Sequence, residues 1–129
     1  IYDAEDILPE FELNTLKAVQ TIAGERDGRF STWFEALTWM VDQCRKLDFD
    51  VAIIGCGAYG FPLAAEIKRM GKTAIHLGGA TQLMFGILGR RWEDENAEFC
   101  RNVVNEYWTR PLESERVAGA NQVEQACYW

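Results

Sequence analysis

The sequence predicts an α/β fold of the Rossmann-like type, in which a short parallel sheet lies between helices in three layers. Two segments support this prediction. The apolar run 51–54 leads into a glycine-rich turn and a helix, and residues 73–77 form a second strand-like run that also ends in glycines. Strands that alternate with helices across short connections pair in parallel. We therefore expect the order βαβαβ, followed by an extra C-terminal helix and an irregular tail.

The first strand and the first helix are predicted within residues 16–46. Residues 16–22 are apolar enough for a strand, and a polar turn containing two glycines follows. Thr32 and Glu35 have the spacing of a capping box, so we expect a helix to start there and to run to about residue 46. Its apolar side chains recur every three or four positions and should face a core. They are Trp33, Leu37, Met40, Val41, Cys44 and Leu47.

The second strand and the second helix follow directly. Residues 50–54 are apolar without interruption after Asp50, which is typical of a parallel strand covered on both faces. Pro62 falls in the first turn of the next helix, where its missing N–H does little harm. Gly71 suits the left-handed position at the end of that helix, and residues 73–77 then form the third strand.

The remaining residues predict one more helix and a tail. Asp94 or Asn96 is a suitable cap for this helix. Residues 110–129 are expected to be irregular, with the closing aromatic pair docked because two free rings would expose much apolar area. The inner side of the helix would be formed by Phe99, Val103 and Tyr107.

Composition excludes several classes of protein. The 129 residues suit a single domain, and the net charge of −7 without a basic stripe argues against a nucleic-acid partner. No window approaches the roughly 20 apolar residues of a membrane span, and the N-terminus lacks the pattern of a signal peptide. The four cysteines form no Cys-x-x-Cys pair. We expect a cytoplasmic protein with reduced thiols.

The start of the chain suggests a fragment. It begins with Ile1 in an acidic stretch, so we expect the C-terminal part of a longer protein, with residues 1–12 frayed. A three-stranded sheet has two open edges. We therefore expect another domain, a second copy of the chain or the tail to cover one of them.

The first glycine turn is the main functional signal. Gly55, Gly57 and Gly60 match the pattern Gly-x-Gly-x-x-Gly between a strand and a helix, where backbone can approach a phosphate. An NAD site also requires Asp or Glu at the end of the next strand, and here that place holds His76, Leu77 and a glycine. The pattern favours a phosphate or nucleotide-sugar site. A purely structural use of the glycines, for tight turns and packing, stays open.

The second glycine turn, Gly78 and Gly79, ends the neighbouring strand, so the two turns could form opposite lips of one crevice. Thr81 and Gln82 follow as candidate phosphate or sugar contacts, although Thr81 could equally cap a helix.

Three more side chains are candidates for the same site. Arg90 and Arg91 could clamp a diphosphate bidentately, or could be solvated. Tyr59 could stack on a base, or could pack over the sheet rim.

Four further residues allow alternative interpretations. His76 could be an acid or base, but a hydrogen-bonded structural histidine is favoured. Cys56 near a helix N-terminus could be reactive, but a packing role is favoured. Asp3 and Glu5 have the Asp-x-Glu form of a metal motif, yet solvated charges are the default at such a start.

Several motifs together resemble a known family. The motifs are Trp33-Phe34-Glu35-Ala36-Leu37, Ile54-Gly55-Cys56-Gly57-Ala58-Tyr59-Gly60, Ile75-His76-Leu77-Gly78-Gly79, Phe85-Gly86-Ile87, Arg91-Trp92 and Cys127-Tyr128-Trp129. With these motifs the chain resembles, over most of its length, the C-terminal part of bacterial surface-polysaccharide-locus proteins, which are similar in turn to glycosyltransferases of the GT-D type.

The resemblance implies a nucleotide-sugar site and transfer of the sugar to a glycan acceptor. The acidic motif that holds a divalent metal in that class belongs to an N-terminal part that this chain lacks, so we expect the fragment alone to be inactive. The alternatives are a non-catalytic nucleotide-binding or assembly module and, less favoured, a small NAD-dependent oxidoreductase.

Overall fold

A computed structural model describes residues 1–2, 7–95, 97–122 and 124–129. The chain divides into two compact units. We call Asn14–Thr81 the glycine-turn unit, and Ile1–Leu13 together with Gln82–Trp129 the C-terminal unit. The part of the chain that the structure describes contains no helix with the length and apolar character of a membrane span.

The glycine-turn unit contains the α/β elements that the sequence predicts. Helix α1 (Trp33–Cys44) precedes strand β1 (Val51–Ile54), helix α2 (Gly60–Arg69) and strand β2 (Thr73–His76). The two strands pair in parallel. Their alignment runs from Val51 opposite Thr73 to Ile54 opposite His76. A βαβ unit with its glycine turn at the carboxyl end of β1 is therefore present.

Helix α1 begins where its capping box predicts. Thr32 Oγ1 accepts a hydrogen bond from the Glu35 N–H at 3.1 Å, and Glu35 Oε2 accepts one from the Ser31 N–H at 2.7 Å. The first bond satisfies an N–H group that the first helical turn leaves without a partner, and the second ties the residue before the cap to the same turn. The helix ends at Cys44, and a turn that includes Lys46 follows it. The prediction of a helix to about residue 46 is close.

The core of this unit lies on one face of the sheet. Side chains from α1, α2 and β1 form one cluster in which Met40 and Ile67 are fully buried. On the opposite face, Val51 and Ile75 remain 49% and 43% exposed. The prediction that β1 is covered on both faces is wrong for this unit as described, because both helices share the single cluster beside Ile54.

The predicted first strand is absent from the described structure. Residues 11–21 have no regular secondary structure, and a short 3-10 helix, Ile22–Gly24, follows them. Val19 is buried, and its N–H points to Met40 Sδ at 3.5 Å. The apolar residues of this segment therefore pack on α1 and do not extend the sheet. The described sheet has two strands and not three.

The C-terminal unit is built from short helices and turns. Helix α3 (Ala80–Met84) leads into it, and helices α4 (Arg90–Glu95) and α5 (Ala97–Val103) follow. The 3-10 helices Glu113–Glu115, Ala120–Gln122 and Glu124–Ala126 lie in the tail. Ile87 and Thr109 form an isolated parallel bridge.

The predicted last helix differs in its start and in its inner side. Helix α4 already begins at Arg90, so Asp94 lies inside a helix, while Asn96 is outside the described residues. Phe99 is 42% exposed and Tyr107 is 70% exposed, whereas Cys100 is buried. The assignment of both aromatic residues to an inner side is wrong, because α5 buries Cys100 and not Phe99, and it ends at Val103 before Tyr107.

The tail docks onto the start of α4, as the sequence predicts. Cys127 is buried, and its carbonyl accepts a hydrogen bond from the Arg91 N–H at 2.9 Å. A Cβ atom on Gly89 would lie 2.9 Å from the backbone of Tyr128, so the two segments touch through main chain. The close approach requires glycine at this position.

Candidate functional site

The two glycine turns leave the sheet at the same edge. Ile54 and His76 are paired at the carboxyl ends of β1 and β2. Beyond this pair, the N–H groups of Leu77 and Gly78 both donate to the Ile54 carbonyl, at 3.0 and 3.2 Å. This confirms that both turns follow adjacent parallel strands. Ligands of open parallel sheets bind at this rim.

The turns touch each other and do not enclose a crevice. A Cβ atom on Gly55 would lie 2.7 Å from the Gly78 carbonyl oxygen and 2.7 Å from Thr81 Oγ1. These distances leave no room for a side chain, still less for a ligand between the turns. The expectation of two opposite lips is therefore wrong. A ligand has to lie over the rim and not between its two turns.

The first turn contains two main-chain N–H groups ahead of its own hydrogen bonds. It forms a 3-10 turn in which the Tyr59 N–H donates to the Cys56 carbonyl at 3.2 Å. The N–H groups of Gly57 and Ala58 precede the first bonds of the helix, and both residues are exposed. Gly57 has φ +53, a conformation that favours glycine. Consecutive N–H groups at a helix start attract anions.

The second turn uses most of its donors internally. The Gly78 N–H is bonded to Ile54, while the N–H groups of Ala80 and Thr81 donate to Leu77 and Gly78. In the described part of the chain, Gly79 is the residue of this turn whose N–H has no backbone acceptor. Thr81 Oγ1 is buried and, among the described residues, has no hydrogen-bond partner. The second turn thus offers fewer donors than the sequence suggests.

His76 packs against the start of α2. A Cβ atom on Gly60 would lie 2.2 Å from His76 Cε1, so glycine is required under the imidazole ring. His76 Nδ1 lies 3.2 Å from the Ile54 carbonyl oxygen. Because a carbonyl only accepts, this contact assigns a proton to Nδ1. The arrangement supports the structural interpretation of His76, although its side chain is exposed at the rim.

Tyr59 is turned into the protein. It is only 3% exposed, and its ring stacks on Trp33 with centroids 4.7 Å apart and planes 5° apart. Its hydroxyl lies 3.3 Å from Thr21 Oγ1. The interpretation that Tyr59 stacks on a base is wrong for this conformation, because its ring is already packed on Trp33. The alternative of packing at the rim is confirmed.

The other three candidate side chains belong to the C-terminal unit. Gln82 Nε2 donates to the Tyr128 carbonyl at 3.1 Å, and Gln82 Oε1 accepts from Trp92 Nε1 at 3.2 Å. Arg90 Nη2 donates to the Gln125 carbonyl at 2.6 Å, and Arg91 Nη1 donates to the Tyr128 hydroxyl at 2.8 Å. These contacts hold the tail of that unit.

The cysteines show no sign of reactivity. Cys56 is half-buried, and burial together with the neighbouring Cys44 thiol raises its pKa to about 11. A neutral thiol is a poor nucleophile, so the packing role is supported. The described residues contain no group of three or more His, Cys, Asp or Glu side chains placed to hold a metal ion. Asp3 and Glu5 lie outside the described residues.

Sequence reasoning missed a cleft beside Tyr59. It has a volume of about 320 Å³ and lies between the segment 21–33 and the 3-10 turn that starts α2. Its lining combines aromatic, hydroxyl and charged side chains from Thr21 to Trp33. The sequence carries a weak signal for it, because residues 24–32 are a polar loop followed by a capping box. Such a loop is not distinguishable from an ordinary turn without coordinates.

Comparisons of the chain with protein-family models, with curated proteins and with solved structures find no match. A functional assignment therefore depends on the geometry of the site.

Proposed function

We propose that the glycine-turn unit binds the diphosphate group of a nucleotide sugar over its sheet rim. The observation that carries this proposal is the first turn, where the exposed N–H groups of Gly57 and Ala58 stand at the start of α2. Gly79 adds an N–H from the adjacent turn. Three main-chain donors and the positive end of a helix dipole suit a doubly charged group.

A nucleotide sugar fits this rim better than NAD does. The end of β2 carries His76, Leu77 and Gly78, and no carboxylate stands there to bind the ribose hydroxyls of a dinucleotide. The backbone donors, in contrast, would bind the phosphates and would not select a particular base or sugar. The resemblance described above points to the same class of ligand.

The wider proposal is that the chain is the nucleotide-sugar half of a glycosyltransferase in bacterial surface polysaccharide biosynthesis. Transfer of a sugar to a glycan acceptor leaves a nucleoside diphosphate, and N–H groups at the rim would stabilise the charge that develops on it. Arg90 and Arg91 are engaged by the tail, so the backbone is the proposed source of this stabilisation.

The fold proposal is that β1 and β2 belong to a larger Rossmann-like sheet. The exposed face that carries Val51 and Ile75 supports it, since parallel sheets usually have helices on both faces.

Titration with uridine diphosphate tests the diphosphate site. We expect saturating shifts of the backbone amide signals of Gly57, Ala58 and Gly79 in spectra of the isotope-labelled protein. The amides of Tyr59 and Gly78 should shift less, because they donate within the turns. Unchanged spectra at millimolar ligand would contradict the proposal.

Gly57→Val distinguishes binding from a structural use of the glycine. A Cβ atom at Gly57 meets nothing within 4 Å, so the change adds no clash inside the unit. It forces a β-branched residue to φ +53, which costs about 1–2 kcal/mol. We expect the response to uridine diphosphate to be lost while the protein stays folded. Gly28→Val is the matched control, because Gly28 is also open and has no positive φ.

A nucleotide panel in a thermal-shift assay separates the alternatives. A ligand that prefers the native state raises apparent stability with concentration. Stabilisation by uridine or guanosine diphosphate sugars supports the proposal, and selective stabilisation by NAD would favour an oxidoreductase. If no nucleotide in the panel raises the melting temperature, the result would favour a non-catalytic assembly module.

A further inference from the structure

The cleft beside Tyr59 has the size of a small-ligand site. Its volume of about 320 Å³ is at the lower end of the range of roughly 300–1,000 Å³ that ligand pockets occupy. All its lining residues belong to the glycine-turn unit. A cleft of this size suits one or two small rings and is too short for a whole nucleotide sugar.

Its walls combine rings with hydroxyl and carboxylate groups. Phe30, Trp33 and Tyr59 provide the aromatic surface. Thr21 and Glu25 also line the cleft and bring a hydroxyl and a carboxylate. Apolar faces next to several hydrogen-bonding groups match a sugar ring, which has C–H faces and a rim of hydroxyls that both donate and accept.

The loop that forms one wall is fixed by its own contacts. Arg29 Nε and Nη2 donate to the Asp27 carboxylate at 2.9 and 2.6 Å, and the Arg29 N–H also donates to it at 3.0 Å. The guanidinium lies 5.0 Å from the Phe30 ring centroid and 4.7 Å from that of Trp39. A wall ordered before binding lowers the entropy that a ligand has to offset.

The charges of the cleft favour a neutral ligand over an anionic one. The charged residues that line the cleft are Glu25, Arg26 and Asp27. Arg29 forms an ion pair with Asp27. The Arg29 hydrogen bonds hold the pKa of Asp27 at about 2, so its carboxylate is ionised at neutral pH. The two carboxylates are balanced by the guanidinium groups of Arg26 and Arg29, so the cleft offers an anion no net positive charge, whereas carboxylate oxygens accept hydrogen bonds from sugar hydroxyls.

Tyr59 connects the cleft to the rim. Its backbone is part of the turn that carries Gly57, and its hydroxyl lies 3.3 Å from Thr21 Oγ1 at the cleft. Tyr59 therefore belongs both to the turn at the rim and to the lining of the cleft. In a sugar transfer, donor and acceptor have to lie next to each other.

We propose that the cleft lined by Thr21, Glu25 and Trp33 holds a saccharide ring of the glycan acceptor, beside the diphosphate site at the rim. This inference rests on the proposed function in assigning the acceptor role, but saccharide binding in the cleft is measurable on its own.

Titration with simple glycosides tests the cleft. The probes are methyl glycosides of glucose, galactose, mannose and N-acetylglucosamine, added to the isotope-labelled chain with and without uridine diphosphate. We expect at least one of them to shift the Trp33 indole signal and the Glu25 amide signal in a saturating manner. Uridine diphosphate should shift Gly57 instead.

Variants locate the binding. Thr21→Val keeps the side-chain size and removes the hydroxyl, and Glu25→Gln keeps the size but replaces one carboxylate acceptor with an N–H donor, so each should weaken the glycoside by roughly tenfold. Glu12→Gln is the matched control, because Glu12 is exposed and does not line the cleft. Equal binding by all three variants would place the glycoside elsewhere and overturn the inference.

The remaining outcomes separate the two proposals. Shifts at Gly57 with uridine diphosphate, but none with any glycoside, would overturn the cleft and leave the proposed function standing. Glycoside binding without a response to uridine diphosphate would support a saccharide cleft and remove the nucleotide-sugar site. Shifts of the Trp33 indole with uridine itself would show that the cleft takes a base, and no shift with any probe would end both proposals.

Discussion

The glycine-turn unit and the C-terminal unit are stabilised in different ways. Large side chains fill the interior of the first, among them Met40, Leu63 and Ile67. The buried side chains that the structure describes in the second are small. They are Cys100, Ala120, Ala126 and Cys127.

Hydrogen bonds between distant segments take the place of a large core in the C-terminal unit. Examples join Gln82 to Tyr128 at 3.1 Å, Asn105 Nδ2 to the Ile1 carbonyl at 2.9 Å, and the Leu88 N–H to Thr109 at 2.8 Å. A hydrogen bond contributes about 1 kcal/mol net, whereas burial of a large apolar side chain contributes about 1.5–3 kcal/mol. We infer that the glycine-turn unit is the more stable of the two, and that the C-terminal unit opens first.

The largest expected effect is at the centre of the glycine-turn core. Met40 is fully buried, so Met40→Ala should lower the free energy of unfolding of that unit by about 3 kcal/mol through lost contacts and a cavity. Cys100→Ala, at a buried but smaller side chain of the other unit, should cost about 1 kcal/mol. Urea unfolding followed by tryptophan fluorescence measures both. Equal losses would remove the contrast between the units.

A second test adds a methyl group where the two glycine turns meet. Gly55→Ala places a Cβ atom 2.7 Å from the Gly78 carbonyl oxygen, and the turns have to separate. We expect a loss of about 2 kcal/mol, as for other overpacked sites. Gly28→Ala is the control, because nothing lies within 4 Å of its Cβ position. If Gly55→Ala is as stable as the unchanged protein, the two turns can move apart at little cost in free energy.

A third test removes one of the bonds that hold the tail. Tyr128→Phe loses the hydroxyl that accepts from Arg91 at 2.8 Å but keeps the ring, which lies 5.2 Å from the guanidinium carbon. We expect a loss of about 1 kcal/mol, limited to the C-terminal unit. Hydrogen exchange should accelerate in α4 and stay unchanged in α1. Tyr107→Phe, at an exposed tyrosine, should leave both unchanged.

The smallest effect concerns acid stability of the glycine-turn unit. The hydrogen bonds from Arg29 lower the pKa of Asp27 from 3.8 to about 2. Because the folded pKa is the lower one, the stabilisation is complete above about pH 4 and is lost as the pH falls towards 2. Asp27→Asn should make the melting temperature slightly less dependent on pH over that range. Glu106→Gln is the control. An identical pH profile of the melting temperature for the two variants would contradict a stabilising role of the Asp27–Arg29 pair.

Features that depend on contacts within one short segment agree with the sequence-based prediction. The capping box of Thr32 and Glu35 involves residues three apart, and the turn from Gly55 to Gly60 follows its strand directly. In both cases the decisive contacts lie within one short segment. The position of α1, the parallel pair and the docked end of the chain were therefore predicted.

Non-local packing explains the errors. Residues 16–22 have strand-like composition, but Val19 contacts Met40, a residue far along the chain. For Tyr59 the sequence leaves ligand contact and packing open, and the ring stacks on Trp33. In the last predicted helix, Tyr107 lies beyond the end of α5 at Val103, and Phe99 lies within α5 but stays exposed while Cys100 is buried. The cleft was missed for the same reason, since its walls come from segments that meet only in the folded unit.

By itself the sequence determined the glycine turns, the start of α1 and the parallel order of two strands, because short-range backbone preferences, caps and short connections decide these features. Tertiary structure alone decided that the two turns touch, that only one face of the sheet is covered, and that Tyr59 closes a cleft. Such features depend on which distant side chains compete for the same buried space, and no local pattern records that competition.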